Sequence, residues 1–362
     1  MTDSQAFGGA APMEGHGAYN RSSRVQAAGL SPALTLFKQA ARIVPLFPAP
    51  QPLVIADYGS SEGHNSFGPL SLAIGELRKR LGSERAISIV HTDLPDNDFR
   101  ALFQTLATDS ESYLRDDPAV FASAIGRSFY RQILPSDSVT LGWSSWAMQW
   151  LSRVPAPIPD QLQIAFSQDQ GARAAFKKHA ADDWQTFLTH RGRELRPGGR
   201  LVVLTMALDE HGNFGYRPLL EAMYAALMEM AEGGVVHREE ALRMVIPTVA
   251  RSRADLLTPF EKNGSFGDLS IEHLEVFRGE DRIWAEFQAS NDALAFGSRW
   301  AAFSRASVFP SLTRGLDGGL GDPRTTAFIE RLESGMAARL AMAPEPVLIP
   351  LAKILLVKGP RA

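Results

Sequence analysis

Cysteine is missing altogether from this chain of 362 residues, which removes disulfides, Cys-ligated zinc, iron–sulfur clusters and thiol catalysis together. Charge of one sign is scarce as well: 37 basic residues stand against 40 acidic ones, a net charge of −3, with no dense Lys/Arg run. Nucleic-acid affinity comes largely from neutralised phosphates, so no nucleic acid is expected as a partner. Long apolar runs are lacking too. The longest, Val347 to Val357, is interrupted by Pro350 and Lys353 and reaches only about half of the ~20 residues that a membrane-spanning helix needs. It reads as a buried strand, and no membrane partner is expected. Residues 1–18 are rich in Gly and Ala without a basic start or an apolar centre. That suits a mobile arm better than a signal peptide and leaves the cytoplasm as the default location.

What is present, 45% hydrophobic and 21% charged residues, suffices for two domains or for one α/β core with an insertion. Leu53 to Tyr58 is a short apolar run closed by Gly59-Ser60-Ser61-Glu62-Gly63, a strand followed by a turn. From Ser66 to Leu81, apolar residues such as Phe67, Leu70, Ile74, Leu77 and Leu81 recur at three- and four-residue steps, which predicts a helix that Gly82 stops. Ala86 to His91 reads as a second strand, with a helical run through Leu106 after it. Ser138 to Trp143 is a further strand. A helix from Gly171 to Leu195, a turn at Arg196-Pro197-Gly198-Gly199 and a strand from Arg200 to Met206 make a βαβ joint. Ile271 to Arg278 and Pro346 to Lys358 are strand-like, whereas 208–265 and 285–343 are mostly helical. Such alternation argues an α/β fold, a mainly parallel sheet with helices on both faces, and the later helices would cap the strand ends where such sheets bind ligands.

Several constellations could carry chemistry. The turn at Gly59 lacks the G-x-G-x-x-G spacing of dinucleotide sites, so NAD is a weak reading. Gly59-Ser60-Ser61-Glu62-Gly63 does fit the G-x-S-x-G elbow of serine hydrolases, with Ser61 as nucleophile. That elbow expects a histidine late in the chain, yet the last one is His273. Asp93, just past the second strand, sits where a carboxylate would accept from a ribose diol, while Asp96 and Asn97 read as caps of the next helix. Three of the six Trp residues, Trp143, Trp146 and Trp150, fall three and four residues apart directly after a strand. They suit core packing and a pocket wall equally well. His211 and His237 have acidic neighbours without metal-ligand spacing and read as solvated turns and helix starts.

Four ordered blocks carry a family resemblance. Ala18 to Gln26 is similar to an S-Y-x-x-N-S-x-x-Q segment, and Ile55 to Asn65 to an I-A-D-L-G-C-S-x-G-x-N loop. Asp93 to Phe99 is similar to D-L-P-x-N-D-F. Ser128-Phe129-Tyr130 with Trp143 to Pro155 is similar to S-F-Y and S-S-x-x-x-x-W-L-S-x-V-P. The chain thereby resembles the SABATH family, the S-adenosylmethionine-dependent methyltransferases of salicylic acid, benzoic acid and theobromine-synthase type first known from plants. The resemblance is strong over residues 18–155 and weaker beyond.

The resemblance implies a Rossmann-like class I methyltransferase sheet, mostly parallel with the last strand antiparallel, under an α-helical cap. The implied division is an arm at 1–18, a cofactor-binding core at 19–208, a cap at 209–343 with an interleaved core strand near 271–278, and a final strand within 344–362. It implies S-adenosylmethionine contacts from Tyr19, Asp57, Gly59, Ser60, Asn65, Asp93, Leu94, Ser128, Phe129 and Ser145. Gln26 and Trp150 match the pair that holds the substrate carboxylate, and Trp146 and Gln149 match substrate-lining positions. The implied reaction methylates the carboxylate of a small apolar or aromatic acid; N-methylation, as in caffeine-pathway members, is the alternative. A carboxylic acid of pKa about 4 is already ionised at neutral pH, so no general base is needed. Catalysis is then positioning, with the reacting atoms in line at about 3 Å and water excluded. The family's magnesium-associated positions correspond here to Pro159-Asp160-Gln161-Leu162 and Leu242 to Pro247, so no metal is expected. A homodimer follows from the family, and the compact linkers suggest a bacterial relative.

Overall fold

The computed structural model describes Met13, residues 31–48 and residues 50–360. Tyr19 and Gln26 lie outside the described residues, as does all of the expected arm except Met13. Seven strands form one sheet: β1 (Leu53–Tyr58), β2 (Ile87–Asp93), β3 (Val120–Gly126), β4 (Val139–Ser145), β5 (Leu195–Met206), β6 (Leu269–Arg278) and β7 (Pro350–Lys358). Their order across the sheet is β3-β2-β1-β4-β5-β7-β6. Parallel pairs join β1 to β2 and β4, β2 to β3, and β4 to β5. β7 lies antiparallel between β5 and β6, so the last strand alone runs against the others, as expected.

The helices are α1 (Ser31–Ile43), α2 (His64–Leu81), α3 (Phe99–Thr108), α4 (Gln170–Glu194), α5 (Arg217–Glu232), α6 (Arg238–Arg243), α7 (Arg253–Leu257), α8 (Arg282–Ser290), α9 (Ala293–Ser307), α10 (Phe309–Leu312) and α11 (Thr325–Met342). Successive strand residues point to opposite faces, and this alternation splits the core in two. Ile55, Leu141, Trp143, Val202 and Leu204 pack with α1, α2, α5, α9 and α11 on one face. Ala56, Tyr58, Leu201, Val203 and Ile354 meet Trp184, Phe187 and Leu188 of α4 on the other. With both faces covered, the central strands can be almost wholly apolar. No described helix is long and apolar enough to cross a membrane.

Four local expectations are corrected. Strand β3 carries no apolar alternation strong enough to flag it; it is the sheet edge, and Phe121 is 58% exposed there. The Pro197-Gly198-Gly199 turn lies inside β5, which pairs through Leu195 before it and Arg200 after it, with the register shifting between. The spacing of the tryptophans reflects no helix. Trp143 ends fully buried on β4 against Phe37, ring centroids 4.8 Å apart, while Trp146 takes a left-handed φ of 54° that turns the chain out of the strand. Finally, the cap of α3 is neither Asp96 nor Asn97 but Asp98, whose carboxylate accepts from the Ala101 N–H at 2.9 Å.

The largest polar feature of the core was not legible in the sequence. Arg191 and Glu194 of α4 form an ion pair at 2.8 Å with both side chains at 0% exposure. Arg191 also donates to the carbonyls of Phe129 (2.8 Å) and Arg131 (2.9 Å), and its guanidinium stacks 4.3 Å over the Tyr58 ring. Glu194 accepts from the Tyr58 hydroxyl at 2.7 Å and from the Ile133 and Leu134 amides. Most of the pair's valences are met in this way, though the Arg191 Nε–H has no partner; stranding one member of a buried pair typically costs about 3–5 kcal/mol. Arg191→Met should therefore destabilise the protein by about that amount in urea unfolding. Arg191→Met with Glu194→Gln should be less destabilised than the single variant, because no charge is then left unpaired.

Candidate active site

The strand order reverses between β1 and β4, and there the chain ends of β1, β2 and β4 open a cleft, as a switch point in an open α/β sheet allows. The turn after β1 is drawn over the end of β2 by its own backbone. The Gly59 and Ser60 amides donate to the Thr92 carbonyl at 2.8 and 3.1 Å. The Ser61 amide donates to one Asp93 oxygen and the Leu94 amide to the other, both at 2.7 Å. Asn97 closes the loop by donating to the Ser61 carbonyl at 2.9 Å. Such geometry needs left-handed backbone: Gly59 at φ 91°, Gly63 at 89° and, unusually for a residue with a side chain, Ser61 at 48°. Burial pushes the Asp93 carboxyl up to about 6 against the opposing pull of these two amides.

This cleft, about 1120 Å³, is lined by Gly59, Ser61, Asp93, Leu94, Asn97, Ser128, Phe129, Ser145 and Ala147, with Trp146, Trp150 and Arg314 at one end. Six of the expected cofactor residues, Gly59, Asp93, Leu94, Ser128, Phe129 and Ser145, thus come together. Asp57, Ser60 and Asn65 do not line it. Asp57 is buried beneath the turn, where its carboxylate meets His91 Nδ1 at 2.8 Å, and His91 Nε2 meets the Tyr113 hydroxyl at 2.7 Å. With that imidazole committed and the Ser61 hydroxyl unpartnered, the nucleophile–base pair of a serine hydrolase is not formed. Asn97, Ala147 and Arg314 were missed as lining residues; Asn97 was visible as a cap-type residue and as the Asn of the D-L-P-x-N-D-F block, and Arg314 arrives from a distant part of the chain.

Beyond Trp146 and Trp150 the cleft meets a second cavity of about 650 Å³. Its walls are Gln149, Gln163, Met206, Phe214, Tyr216, Leu219, Leu220, Met223, Ile246 and Thr248, closed by Phe303, Ser304, Ser307 and Val308. None of the described residues lining this chamber is charged. The substrate-lining expectation for Trp146, Gln149 and Trp150 places all three here. The turn that carries them is tied down on every side: the Gln149 amide donates to the Trp146 carbonyl at 2.6 Å, Tyr130 donates to the Trp150 carbonyl, and the Val249 amide donates to Gln149 O at 2.8 Å. Two groupings of metal-type side chains occur among the described residues, His64–Asp109–Glu111 and His237–Glu240–Asp317, and neither lines the cleft or the chamber. At the position expected to lack magnesium ligands, Asp160 accepts from Ser167 Oγ and from the Gln168 amide.

A seven-stranded sheet reversed only at its last strand, with a switch-point cleft that shares a wall with an apolar chamber, defines an α/β methyltransferase. The same fold is found in the structure described as loganic acid methyltransferase with SAH, at a TM-score of 0.77 and 21% identity over 97% of this chain and 99% of that one. Residues 10–351 match the family described as SAM dependent carboxyl methyltransferase, and the chain belongs to that family. Its relatives include Methyltransferase FUS9 of Gibberella fujikuroi, 30% identical over 68% of this chain and 66% of the relative. Salicylate carboxymethyltransferase of Clarkia breweri is 30% identical over 62% of this chain and 63% of its own length. The matches thus span about two thirds of these relatives, which are fungal and plant; they lend no support to the expectation of a bacterial source.

The cleft's shape depends on one glycine. A Cβ at Gly59 would lie 2.6 Å from Ala147 Cβ, and its φ of 91° disfavours any side chain. Gly59→Ala should cost about 2–4 kcal/mol, from left-handed strain and overpacking together. Adding Ala147→Gly should recover only the overpacking share in thermal unfolding, since the backbone strain remains.

Proposed function

We propose that this protein is an S-adenosylmethionine-dependent O-methyltransferase that converts the carboxylate of a small apolar or aromatic acid, of salicylate, indole-acid or fatty-acid type, to its methyl ester. The observation that carries this is the wall at Trp146 and Trp150, shared by a polar cleft and an apolar chamber that no charged side chain among the described residues lines. In this reading the core at 19–208 supplies the cofactor cleft, and the cap at 209–343 supplies the chamber's apolar wall.

The cleft's chemistry fits the cofactor. Gly59 lets the backbone approach closely, and the Ser61 hydroxyl, buried and unpartnered, is free for a ligand. Each Asp93 oxygen keeps a lone pair for a ribose hydroxyl, and the Phe129 ring offers a face for adenine. When bound, S-adenosylmethionine supplies an electrophilic methyl on sulfonium; the C–S bond breaks as the carboxylate oxygen bonds to that carbon, leaving S-adenosylhomocysteine. The protein's part is placement. The Trp150 indole N–H, with the Gln26 amide, orients the carboxylate without neutralising it, which preserves its nucleophilicity. The uncharged walls exclude water and strip the carboxylate of solvent that would blunt attack. No metal is required by this chemistry, and a homodimer is the expected assembly.

Trp150→Ala and Gln26→Ala should each lower methyl-ester formation more than tenfold while leaving S-adenosylhomocysteine affinity, read by calorimetry, nearly intact. Asp93→Ala should instead weaken S-adenosylhomocysteine binding. Because the Asp93 carboxyl titrates near 6 and ribose needs the ionised acceptor, wild-type affinity should be flat above that pH. Below it, affinity should fall up to about tenfold per unit. A flat profile down to pH 5 would remove Asp93 from the ribose site. Products from carboxylic acids as opposed to xanthines separate O- from N-methylation. Turnover that survives exhaustive EDTA dialysis would bear on the metal.

A further inference from the structure

The turn that carries Trp150 is gripped at three points by side chains buried behind it. Arg251, 2% exposed, donates to the Met148 carbonyl, and its Nε and a second nitrogen donate to the Ala180 carbonyl at 3.3 and 2.9 Å. Tyr130 donates to the Trp150 carbonyl. Asp183, also buried, accepts from the Ser152 amide at 2.8 Å, and His179 meets Ser152 Oγ at 2.9 Å. His179, Ala180 and Asp183 all belong to α4, so the backbone on either side of Trp150 is tied to that helix. Arg251 is itself fixed, since its carbonyl accepts from the Leu208 amide at 3.1 Å just beyond β5. A guanidinium stripped of water is expensive, and an apolar side chain of similar size would fill the same space at lower cost. What the apolar side chain lacks is direction: the planar fork presents donors at fixed angles, here to the turn and to α4 together. Burial pulls the Arg251 pKa down, opposed by Tyr130 and Asp183, and burial pushes the Tyr130 phenol up, which keeps it a protonated donor.

We infer that Arg251 is a positioning residue for the transfer step: its fork holds the Met148 carbonyl against α4, and the turn so fixed keeps the Trp150 indole in place for the substrate carboxylate. This rests on the carboxyl-methylation reading, which puts the reacting carboxylate at Trp150. Arg251 is not among the residues lining the cleft or the chamber, so it acts through the turn and touches no reactant. A displacement of about 1 Å at an orienting group can cost about a hundredfold in rate. Gly59 and Asp93, on the cofactor side, stand on the turns after β1 and β2 and are tied to each other's loops. Loss of Arg251 should therefore be felt in kcat/KM for the acid and not in cofactor affinity.

The test compares Arg251→Lys, which keeps the charge but not the fork, with Arg251→Gln, which keeps neither, each verified as folded by circular dichroism. Both should lower kcat/KM for the acid by about tenfold or more, while S-adenosylhomocysteine affinity, read by calorimetry, changes by less than about threefold. In a Trp150→Ala background the same substitutions should cost less than about twofold, because the group they position is gone. Fluorine NMR of protein labelled with fluorotryptophan gives a reading that needs no substrate. The Trp150 resonance, assigned with Trp150→Phe, should shift or split in Arg251→Lys, while those of the core residues Trp143 and Trp300 stay in place. Absence of any methyl ester from the wild type would count against the carboxyl-methylation reading alone, and the Trp150 resonance would still decide the role of Arg251. An unmoved Trp150 resonance, cofactor affinity lost in step with turnover, or an undiminished effect in the Trp150→Ala background would overturn that role.

Discussion

A charged pair sealed inside a hydrophobic core sets the geometry on which the cofactor cleft depends. Arg191 and Glu194 have no solvent to share their charge, so their partners must come from the protein. Most are the Tyr58 hydroxyl at the end of β1 and the backbone of residues 129–134, while the Arg191 Nε–H is left without a partner. One helix thereby fixes both the strand that begins the cleft and the loop that presents Phe129 to it. Apolar packing would hold α4 against the sheet equally well, but without direction. Hydrogen bonds of defined length and angle locate that loop, which has no regular secondary structure of its own.

The second constraint is the turn from Trp146 to Leu151. It leaves β4 through a left-handed Trp146, pairs back to Leu204 and crosses to residues 247–249, which places it between the sheet and the helices that follow β5. Both cavities are bounded by it, so the same two indoles face the polar cleft and the apolar chamber. This shared wall sets the two cavities side by side, as transfer between two molecules requires. The polarity changes abruptly across it: carboxylates and backbone groups on one side, methionines, leucines and aromatics on the other.

Much of the fold was legible. Six of the seven strands stand where short apolar runs place them, because strands covered on both faces cannot hide their composition. β3 escaped because its sequence, Val120 to Gly126, mixes alanine, serine and glycine with few large apolar residues; the other edge strand, β6, has more of them. The helix starts were blurred where several capping residues crowd together, as at Asp96, Asn97 and Asp98, since sequence shows which residues can cap and not which one reaches an amide. The site was half legible. Gly59, Asp93, Phe129 and Trp150 sit in recognisable local blocks, whereas Arg191, Glu194 and Arg314 matter only through residues brought in from elsewhere in the chain.

The sequence by itself determined the class of sheet, the exclusion of thiol chemistry and the family, because alternation, composition and ordered motifs are local properties. Only the tertiary structure decided which tryptophan is core and which are wall, that Asp57 serves His91 from beneath the turn, and that no charged side chain among the described residues lines the chamber. Burial and hydrogen-bond satisfaction are sums over neighbours from every part of the chain, and no stretch of sequence contains those neighbours.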